Sequence, residues 1–515
     1  MTGVSYGSRL SIRCDSLVHA ARRSFHVHSM SSDPPSSSDN VGDPPINSDS
    51  AAHSHPSSQS NVASPDAVTT NAAAPDAVQQ NGVSSDGLAG DGVAGDPSPS
   101  WTLGYCTNIH PGVDLDSILD NLARHSGAVR RRLRTATDVS NGQSATHPTT
   151  AIDRLGVGLW IPASAATDIG DTVGSPGIDR LAETMDRCGL IPYTINGFPY
   201  DNFHTPVVKH RVYRPDWTTD DRAEYTLRLA RILAALISEG SVGSISTLPI
   251  AWRGGDPGSD RDVIDAAGRQ LRRVADRLSE IESETGRRIT VAIEPEPGCL
   301  IDHSRHVVDW FDREFYRPVD RRHLSVCHDV CHAAVMNQSQ RDVLKDYADA
   351  EIEVGKVQVS SGIRVDFDAM ATPRRHEAIE QLAGFAEDRY LHQTGRTAAD
   401  GAFQLVEDLP QLIKAARSVD RNTDPVGDDA RWTIHFHVPI FLERFGHLAT
   451  TTDAIGECLR AIRGPAAPTF TGHVEVETYA WGVLPASMRR RDVVEEIADE
   501  MRHLQRLLKQ PINAR

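Results

Sequence analysis

The chain is 515 residues long with a formal net charge of −17 at pH 7, which argues against binding to nucleic acid or to an anionic membrane surface, because both favour clustered Lys and Arg. No segment approaches the roughly 20 consecutive apolar residues of a transmembrane helix. The seven Cys are scattered and odd in number, which does not indicate a disulfide framework, so we expect a cytoplasmic protein.

The first segment in chain order is a low-complexity leader over residues 1–100. Between residues 31 and 100 there is no Lys, Arg or Glu, and Ser, Pro, Ala, Asn, Gly and Asp dominate. This composition cannot bury enough apolar surface to offset the entropy of folding, which predicts disorder. Residues 1–30 lack the apolar run of a signal peptide, so an over-long start with Met30 as an alternative initiator competes with a targeting segment.

Residues 101–515 alternate short apolar runs with longer segments of helical periodicity, which predicts parallel strands joined by helices. The candidate strands are Leu103–Ile109, Leu155–Ile161, Ile191–Asn196, Gly243–Leu248, Ile289–Glu294, Leu324–His328, Val354–Ser360, Thr433–Val438 and His473–Thr478. We interpret them as a (β/α)₈ TIM barrel, with a doubly wound open sheet as the alternative. Nine candidates compete for eight positions, so one must be wrong or lie outside the barrel. The segment 362–431 is too long for one crossover, which predicts an inserted helical subdomain.

Carboxylates and imidazoles accumulate where the predicted strands end, on the face where barrel active sites are built. They are Glu294, Glu296, Asp329, His332, His435, His437 and Glu477. A carboxylate at the end of a buried strand needs a compensating charge, and two Glu, one Asp and one His would suit Mn²⁺, Zn²⁺, Mg²⁺ or Co²⁺. Such a metal would chelate a hydroxy-carbonyl substrate while flanking carboxylates move a proton.

Other interpretations of these residues remain open at this stage. Asp329 could instead cap the following helix. His435 and His437 share one strand face, and either could reach the site. Cys327 and Cys331 could belong to a structural zinc site, although buried apolar packing suits their spacing better. Further candidates for substrate contact are His110, Asn196 and Tyr200, each of which could also form only loop hydrogen bonds.

These motifs resemble a known group of proteins. Glu294-Pro295, then Asp329-x-x-His332, then a late strand-end Glu477 is similar to the xylose isomerase-like superfamily of sugar isomerases, epimerases and endonuclease IV-type barrels. Longer strings resemble the metabolite traffic protein EboE family. They are YCTNIHPG (Tyr105–Gly112), TINGFPY (Thr194–Tyr200), VYRPDWTT (Val212–Thr219), GSISTLP (Gly243–Pro249), EPEPGCL (Glu294–Leu300), KVQVSSG (Lys356–Gly362), HFHVP (His435–Pro439) and VEVETYAW (Val474–Trp481).

The resemblance implies a TIM barrel, a small-molecule metabolite as ligand, and partners encoded in the same secondary-metabolite gene cluster. It implies that Glu294 and Glu477 are metal ligands that double as acid and base, that Asp329 is a third ligand, and that His332 contacts substrate. The seventh strand departs from the sugar epimerases, which have a His where this chain has Lys356-Val357-Gln358. We expect His437 to complete the ligand set, and Lys356, Gln358, His435 and Glu296 to join the substrate contacts.

The favoured function is a metal-dependent isomerase or epimerase acting on a small hydroxylated metabolite. The main alternative is a barrel that keeps the pocket but only binds or escorts a small molecule. A metal-dependent hydrolase or lyase is a third possibility, and a nuclease is the weakest, because an acidic chain offers no basic groove. A salt bridge from Lys356 into the metal-site carboxylates would favour the binding protein, since an ammonium group would then replace the cation.

Overall fold

The structure is a computed structural model that describes residues 101–135, 153–172, 174–255, 259–486, 488–489 and 491–510. All of these residues belong to one compact unit, Val83–Arg515. The leader predicted over residues 1–100 lies outside the described residues.

The strands of the described residues are β1 (Thr102–Cys106), β2 (Leu155–Leu159), β3 (Leu190–Asn196), β4 (Val242–Thr247), β5 (Arg288–Ile293), β6 (Leu324–Asp329), β7 (Val354–Val359), β8 (Ile363–Asp366), β9 (Thr394–Ala398), β10 (Phe403–Val406), β11 (Asp429–Ile434), β12 (Arg444–Phe445), β13 (Leu448–Thr450) and β14 (His473–Val476).

The α-helices of the same residues are α1 (Leu115–Asn121), α2 (Gly127–Thr135), α3 (Ala163–Ile169), α4 (Pro176–Cys188), α5 (Asp220–Leu236), α6 (Asp260–Thr285), α7 (Ser304–Glu314), α8 (Pro318–His323), α9 (Val330–Val335), α10 (Gln340–Asp349), α11 (Thr372–Leu382), α12 (Leu409–Arg417), α13 (Thr452–Ala461) and α14 (Val493–Lys509).

Eight parallel strands close into a barrel in the order β1-β14-β7-β6-β5-β4-β3-β2. The predicted (β/α)₈ architecture is therefore confirmed, and the open-sheet alternative is wrong. Strands such as β2, β6 and β7 are buried along their whole length, as expected when helices cover the outside and side chains fill the inside. The longest helix, α6, begins at a Ser259 cap and turns Leu271, Val274, Leu278 and Ile281 into the core.

A second, six-stranded sheet lies between β7 and β14 in the chain, in the order β10-β9-β11-β8-β13-β12, with antiparallel pairing. It has its own apolar core, which includes Val365, Ile379, Leu412 and Trp432. The predicted insertion over 362–431 does contain the helices α11 and α12, but it is built around a sheet that the sequence analysis did not anticipate.

The ninth strand candidate, Thr433–Val438, lies outside the barrel. Its first residues are the end of β11 in the second sheet, and the rest follow that strand without regular structure. Its alternating apolar residues, Ile434, Phe436 and Val438, pack in the core of the second sheet. The same alternation made the segment resemble a barrel strand. Within the described part of the chain, no helix is long and apolar enough to cross a bilayer.

Candidate functional site

A cavity of about 70 Å³ opens at the carboxyl ends of the barrel strands. Glu294 follows β5 directly, Asp329 is the last residue of β6, and Glu477 follows β14. All three carboxylates are buried, and Glu294 and Glu477 line the cavity. The strand topology therefore brings together the three acidic residues that the sequence predicted as a group.

Asp329 caps helix α9 with one carboxylate oxygen and leaves the other without a partner among the described residues. Its Oδ1 accepts from the backbone N–H of His332 at 2.8 Å, which caps α9, and from the Ser360 hydroxyl at 2.8 Å. Its Oδ2 is buried and has no hydrogen-bond partner among the described residues. The hydrogen bonds to Oδ1 thus fix the orientation of the carboxylate, and Oδ2 is free to accept a hydrogen bond or to bind a cation.

His332 has a defined tautomer because its Nδ1 lies 3.0 Å from the backbone carbonyl of Pro295, which can only accept a hydrogen bond. Nδ1 therefore carries a proton. The same Nδ1 lies 3.8 Å from Oε1 of Glu294. The Nε2 of His332 faces His435 across the site.

His435 is oriented by Gln393. The Gln393 side-chain NH₂ lies 3.1 Å from Glu296 Oε1 and 3.2 Å from the Pro297 carbonyl, both acceptors, which fixes which end of the amide is oxygen. Gln393 Oε1 then accepts from Nδ1–H of His435 at 2.8 Å. Burial, together with the neighbouring His332 and His437, lowers the pKa of His435 well below its usual value, so its Nε2 carries a lone pair.

His437 completes the set. Its Nδ1 lies 3.0 Å from the backbone carbonyl of Glu477 and must donate to it. Its Nε2 is buried, finds no partner in the described part of the chain, and lies 4.0 Å from Asp329 Oδ2. Burial lowers the pKa of His437 to about 4, so the ring is neutral at pH 7.

The Nε2 atoms of the three imidazoles converge on one point. Nε2 of His332 and Nε2 of His435 are 3.1 Å apart, a distance that requires a proton or a cation between the two nitrogens. Two nitrogen ligands of one ion, each about 2.1 Å from it, stand at roughly this separation. Ligand atoms of His332, His435 and His437 lie within 4.8 Å of one another, as do those of Glu294, Asp329 and His332.

These residues fit a divalent cation. Neutral imidazole nitrogens with one or two carboxylate oxygens suit Zn²⁺, Mn²⁺ or Co²⁺. Each ligating imidazole already donates its other N–H to a carbonyl or amide oxygen, which is the usual way in which metal-binding histidines are oriented. Cys331 Sγ also lies within 4.8 Å of Asp329 and His437 ligand atoms, but burial raises the pKa of its thiol well above the usual value and disfavours the thiolate.

Glu477 is held differently from Asp329. Its Oε1 accepts from the Asn108 amide at 2.8 Å, and its Oε2 accepts from the Gln358 amide. Burial, followed by the charge of Asp329, raises the pKa of Glu477 to about 7, and burial with the charges of Glu477 and Asp329 raises the pKa of Glu294 well above its usual value. For Asp329, burial is outweighed by His332, His437 and its hydrogen bonds, so its pKa is lowered. Asp329 is therefore the permanent anion of the three.

Lys356 lies beneath the cavity rather than on its wall. Its ammonium group forms an ion pair with Glu475, both side chains are fully buried, and its Nζ donates to Asn196 Oδ1 at 2.6 Å. Gly158 leaves the space for this pair, because a Cβ there would lie 1.4 Å from Glu475 Oε1. The pair therefore neutralises itself one layer below Glu294, Asp329 and Glu477.

The remaining predicted residues divide into two groups. Glu296 and Asn196 lie on the cavity wall. Glu296 accepts a hydrogen bond from Tyr213 OH at 2.8 Å. The Asn196 side chain donates to Glu475 and accepts from Lys356. Away from the wall are His110 and Tyr200. His110 stacks on His125 and contacts the hydroxyl of Tyr105, and Tyr200 packs against Tyr225.

Several wall residues were missed by the sequence analysis: Asn108, Tyr213, Tyr390 and Tyr479, with Gln393 behind His435. Asn108 stands in the same strand-end string as His110, so its position at the end of β1 was a usable signal. Gln393 and Tyr390 lie in an irregular segment far along the chain from their partners, and no local pattern marks them.

No family model matches the chain, and no curated protein matches it. Among solved structures, the chain is similar to the IolI protein with a bound zinc atom, at 11% identity and a TM-score of 0.37, over 79% of this chain and 98% of that one. It is similar to an L-ribulose 3-epimerase at 9% identity and a TM-score of 0.39, over 79% and 94%. It is similar to a xylose isomerase domain protein from Alicyclobacillus acidocaldarius at 12% identity and a TM-score of 0.36, over 79% and 98%. Likenesses this distant assign no substrate or reaction to this chain.

Proposed function

We propose that this protein is a divalent-metal-dependent isomerase or epimerase that acts on a small hydroxylated metabolite. The observation that carries the proposal is the convergence of three imidazole Nε2 atoms and the unpartnered Oδ2 of Asp329, among the described residues, beside the carboxylates of Glu294 and Glu477. Buried groups of this kind are costly to leave unpaired, and a cation would compensate all of them together.

The metal would be held by Asp329, His332, His435 and His437, and the ligand atoms of Glu294 lie within 4.8 Å of those of Asp329 and His332. This set differs from the one expected from the sequence, which used Glu477 and a single His. Both oxygens of Glu477 already accept side-chain hydrogen bonds, from Asn108 and Gln358. When bound, the cation would act as a Lewis acid towards a carbonyl or hydroxyl oxygen of the substrate.

Glu477 and Glu294 would move the proton. Both carboxylates reach the cavity wall, and both are excluded from bulk water. Asn108 and Gln358 hold the Glu477 carboxylate in one orientation, which would favour proton transfer to or from one carbon of a bound substrate. Two carboxylates on one cavity allow one to accept the proton and the other to return it, which is the requirement for an epimerisation.

A salt bridge from Lys356 into the metal-site carboxylates would have supported the non-catalytic alternative, a protein that binds or escorts a small metabolite. Lys356 is instead paired with Glu475, which leaves Asp329 Oδ2 without a partner among the described residues. This arrangement favours the metal-dependent enzyme. The resemblance to the EboE family supports our further proposal of partners from the same gene cluster. The scattered, odd number of cysteines supports the proposal of a cytoplasmic location.

The first experiment is elemental analysis of the purified full-length chain, alongside Asp329→Asn and His437→Gln variants. We expect near-stoichiometric Zn, Mn or Co in the parent protein and a clear loss in both variants. The matched control is His210→Gln, at a half-exposed histidine outside the site, which should keep its metal. Absence of metal even after reconstitution would contradict the proposal.

The second experiment follows proton exchange at carbon. Hydroxy-carbonyl sugars and cyclitols are incubated in D₂O with the metal-loaded protein, and deuterium incorporation is followed by NMR. The proposal expects incorporation with at least one compound, and its loss in Glu477→Gln with metal content unchanged. Incorporation that survives in Glu477→Gln would remove the assigned role of this residue.

A further inference from the structure

An aromatic cluster forms the cavity wall next to the histidines. The ring centroids of Phe203, Tyr390 and Tyr479 are 4.8 to 5.4 Å apart, and Tyr479 lies 4.7 Å from the His437 ring. Phe198 and Val212 extend the same apolar wall. A ligand that reaches the histidines therefore also contacts aromatic surface, which would stabilise its apolar atoms but not a second charge.

The wall offers little to a phosphate group. Among the described residues that line the cavity, Lys209 is the one Lys or Arg. Its Nζ lies 2.5 Å from Oδ2 of Asp408, so its charge is already compensated. The other ionisable groups nearby include the carboxyls of Glu294, Glu296 and Glu477, which offer a second anion no positive charge. Phosphate sites in proteins are instead built from charged or backbone donors that converge on the anion.

One polar atom on the wall is suited to a neutral hydroxyl. Asn108 Nδ2 donates to Glu477, while Asn108 Oδ1 is buried and lacks a partner within the described residues. An amide oxygen accepts hydrogen bonds, so it would receive an O–H or N–H of the ligand. It lies beside the carboxylate to which we assign proton transfer.

We infer that the substrate class is a non-phosphorylated hydroxylated compound that carries an apolar or aromatic group, with its oxygen atoms at the histidine site and its apolar group against Phe203, Tyr390 and Tyr479. The inference rests on the proposed function, because it takes the histidine site to be the metal site. A substrate class of this kind excludes sugar phosphates as the preferred ligands of this cavity.

The test uses three ligands that share a chelating hydroxamate head and differ in the tail: acetohydroxamate, benzohydroxamate and phosphonoacetohydroxamate. Their affinities for the zinc-loaded full-length protein are measured by calorimetry. We expect benzohydroxamate to bind at least about tenfold more tightly than acetohydroxamate, because its phenyl ring buries apolar area. The phosphonate should bind no better than acetohydroxamate. Tightest binding by the phosphonate, or no gain from the phenyl ring, would overturn the inference.

Two variants locate the apolar contact. Tyr390→Ala and Phe203→Leu should each remove most of the phenyl gain while zinc content and acetohydroxamate affinity stay unchanged. Tyr316→Ala, at a tyrosine that is 73% exposed, is the matched control and should keep the gain. A phenyl gain that survives both cavity variants would place the ring elsewhere and contradict the inference.

Failure of the proposed function can be distinguished from failure of the inference. If the protein holds no zinc, the proposed function falls, and the metal-free protein is tested by saturation-transfer NMR with benzyl alcohol and glycerol 3-phosphate. Transfer to benzyl alcohol that is lost in Tyr390→Ala supports the inference. Transfer to glycerol 3-phosphate alone, or to neither compound, overturns it.

Discussion

Oδ2 of Asp329 lies 4.0 Å from Nε2 of His437, and both atoms are buried with no hydrogen-bond partner within the described ranges. One is an anionic oxygen and the other a neutral nitrogen lone pair, so they cannot satisfy each other without a proton or a cation between them. Substitution of either residue is therefore the most direct test of the proposed metal centre.

Asp329→Asn should weaken metal binding by about tenfold or more, because it removes the negative charge while keeping the shape of the side chain. Asn is also a good helix cap, so α9 should be preserved. The measurement is zinc affinity by competition with a chromophoric chelator. Asp312→Asn, at an exposed surface position, is the control, and equal affinities in the two variants would contradict the prediction.

Removing the metal should increase hydrogen exchange in the second sheet more than in the barrel. The metal would link His435 and His437, which follow β11, to Asp329 and His332 of the barrel, and the closed barrel keeps its own strand pairing without that link. At a metal concentration 100-fold above Kd, binding should contribute about 3 kcal/mol to the free energy of unfolding. Hydrogen exchange with and without chelator should show faster exchange in β8, β11 and β13 than in β2 to β4. His435→Gln should abolish this difference. A uniform change over both sheets would argue against a metal bridge between them.

Lys356→Met should destabilise the protein by about 3 to 5 kcal/mol, because it leaves the buried Glu475 without a counter-charge. The double variant Lys356→Met/Glu475→Gln should recover much of this loss. Both are measured by urea denaturation. Lys345→Met, at an exposed lysine paired with Asp349, should change stability little. A double variant no more stable than the single one would show that the ion pair itself is not the cause.

The pH dependence of stability should change in Glu500→Gln. Burial raises the pKa of Glu500 from 4.5 to about 7, although Thr478 and the backbone N–H of Ile440 donate to it. Between these values the native state keeps a proton that the unfolded chain has lost, so this group's contribution to stability falls as pH rises through the window. Replacing it with Gln should stabilise the protein at pH 8 relative to pH 4.5 by up to about 3 kcal/mol, compared with the parent.

The measurement for Glu500 is urea denaturation at several pH values. The difference between variant and parent isolates this group from buried histidines such as His473, whose pKa is lowered to about 3 and whose effect has the opposite sign. Glu495→Gln, at a less buried position of the same helix, is the control. A variant that parallels the parent from pH 4.5 to 8 would contradict the raised pKa.

The sequence predicted the barrel well because its signal is local. An apolar run such as Ile289 to Ile293 identifies a strand from only a few neighbouring residues. The parallel topology then brings the strand-end residues Glu294, Asp329 and Glu477 to one face. Their roles as ligands or catalytic groups stay predictions. His435 and His437 could not be separated from the sequence, and the structure turns both towards the site.

The rest of the site depends on contacts between distant parts of the chain. The orientation of His435 depends on Gln393, which is 42 residues away, and Lys356 is neutralised by Glu475 through the pairing of β7 with β14. Neither contact can be predicted from the local periodicity of the sequence. The second sheet was missed because its strands are short and antiparallel, and the insertion was predicted only from the length of the segment.

The position of His435 and His437 outside the barrel limits how this protein could be shortened. Excising 363–450 and joining β7 to α13 would restore a regular β/α repeat, yet Glu294, Asp329 and Glu477 would then face one another with His332 as the nearby imidazole. Three carboxylates that close, with no cation, would not all ionise. The second sheet is therefore needed to supply His435 and His437, and a minimal barrel cut from this chain would lack two imidazoles of the proposed metal site.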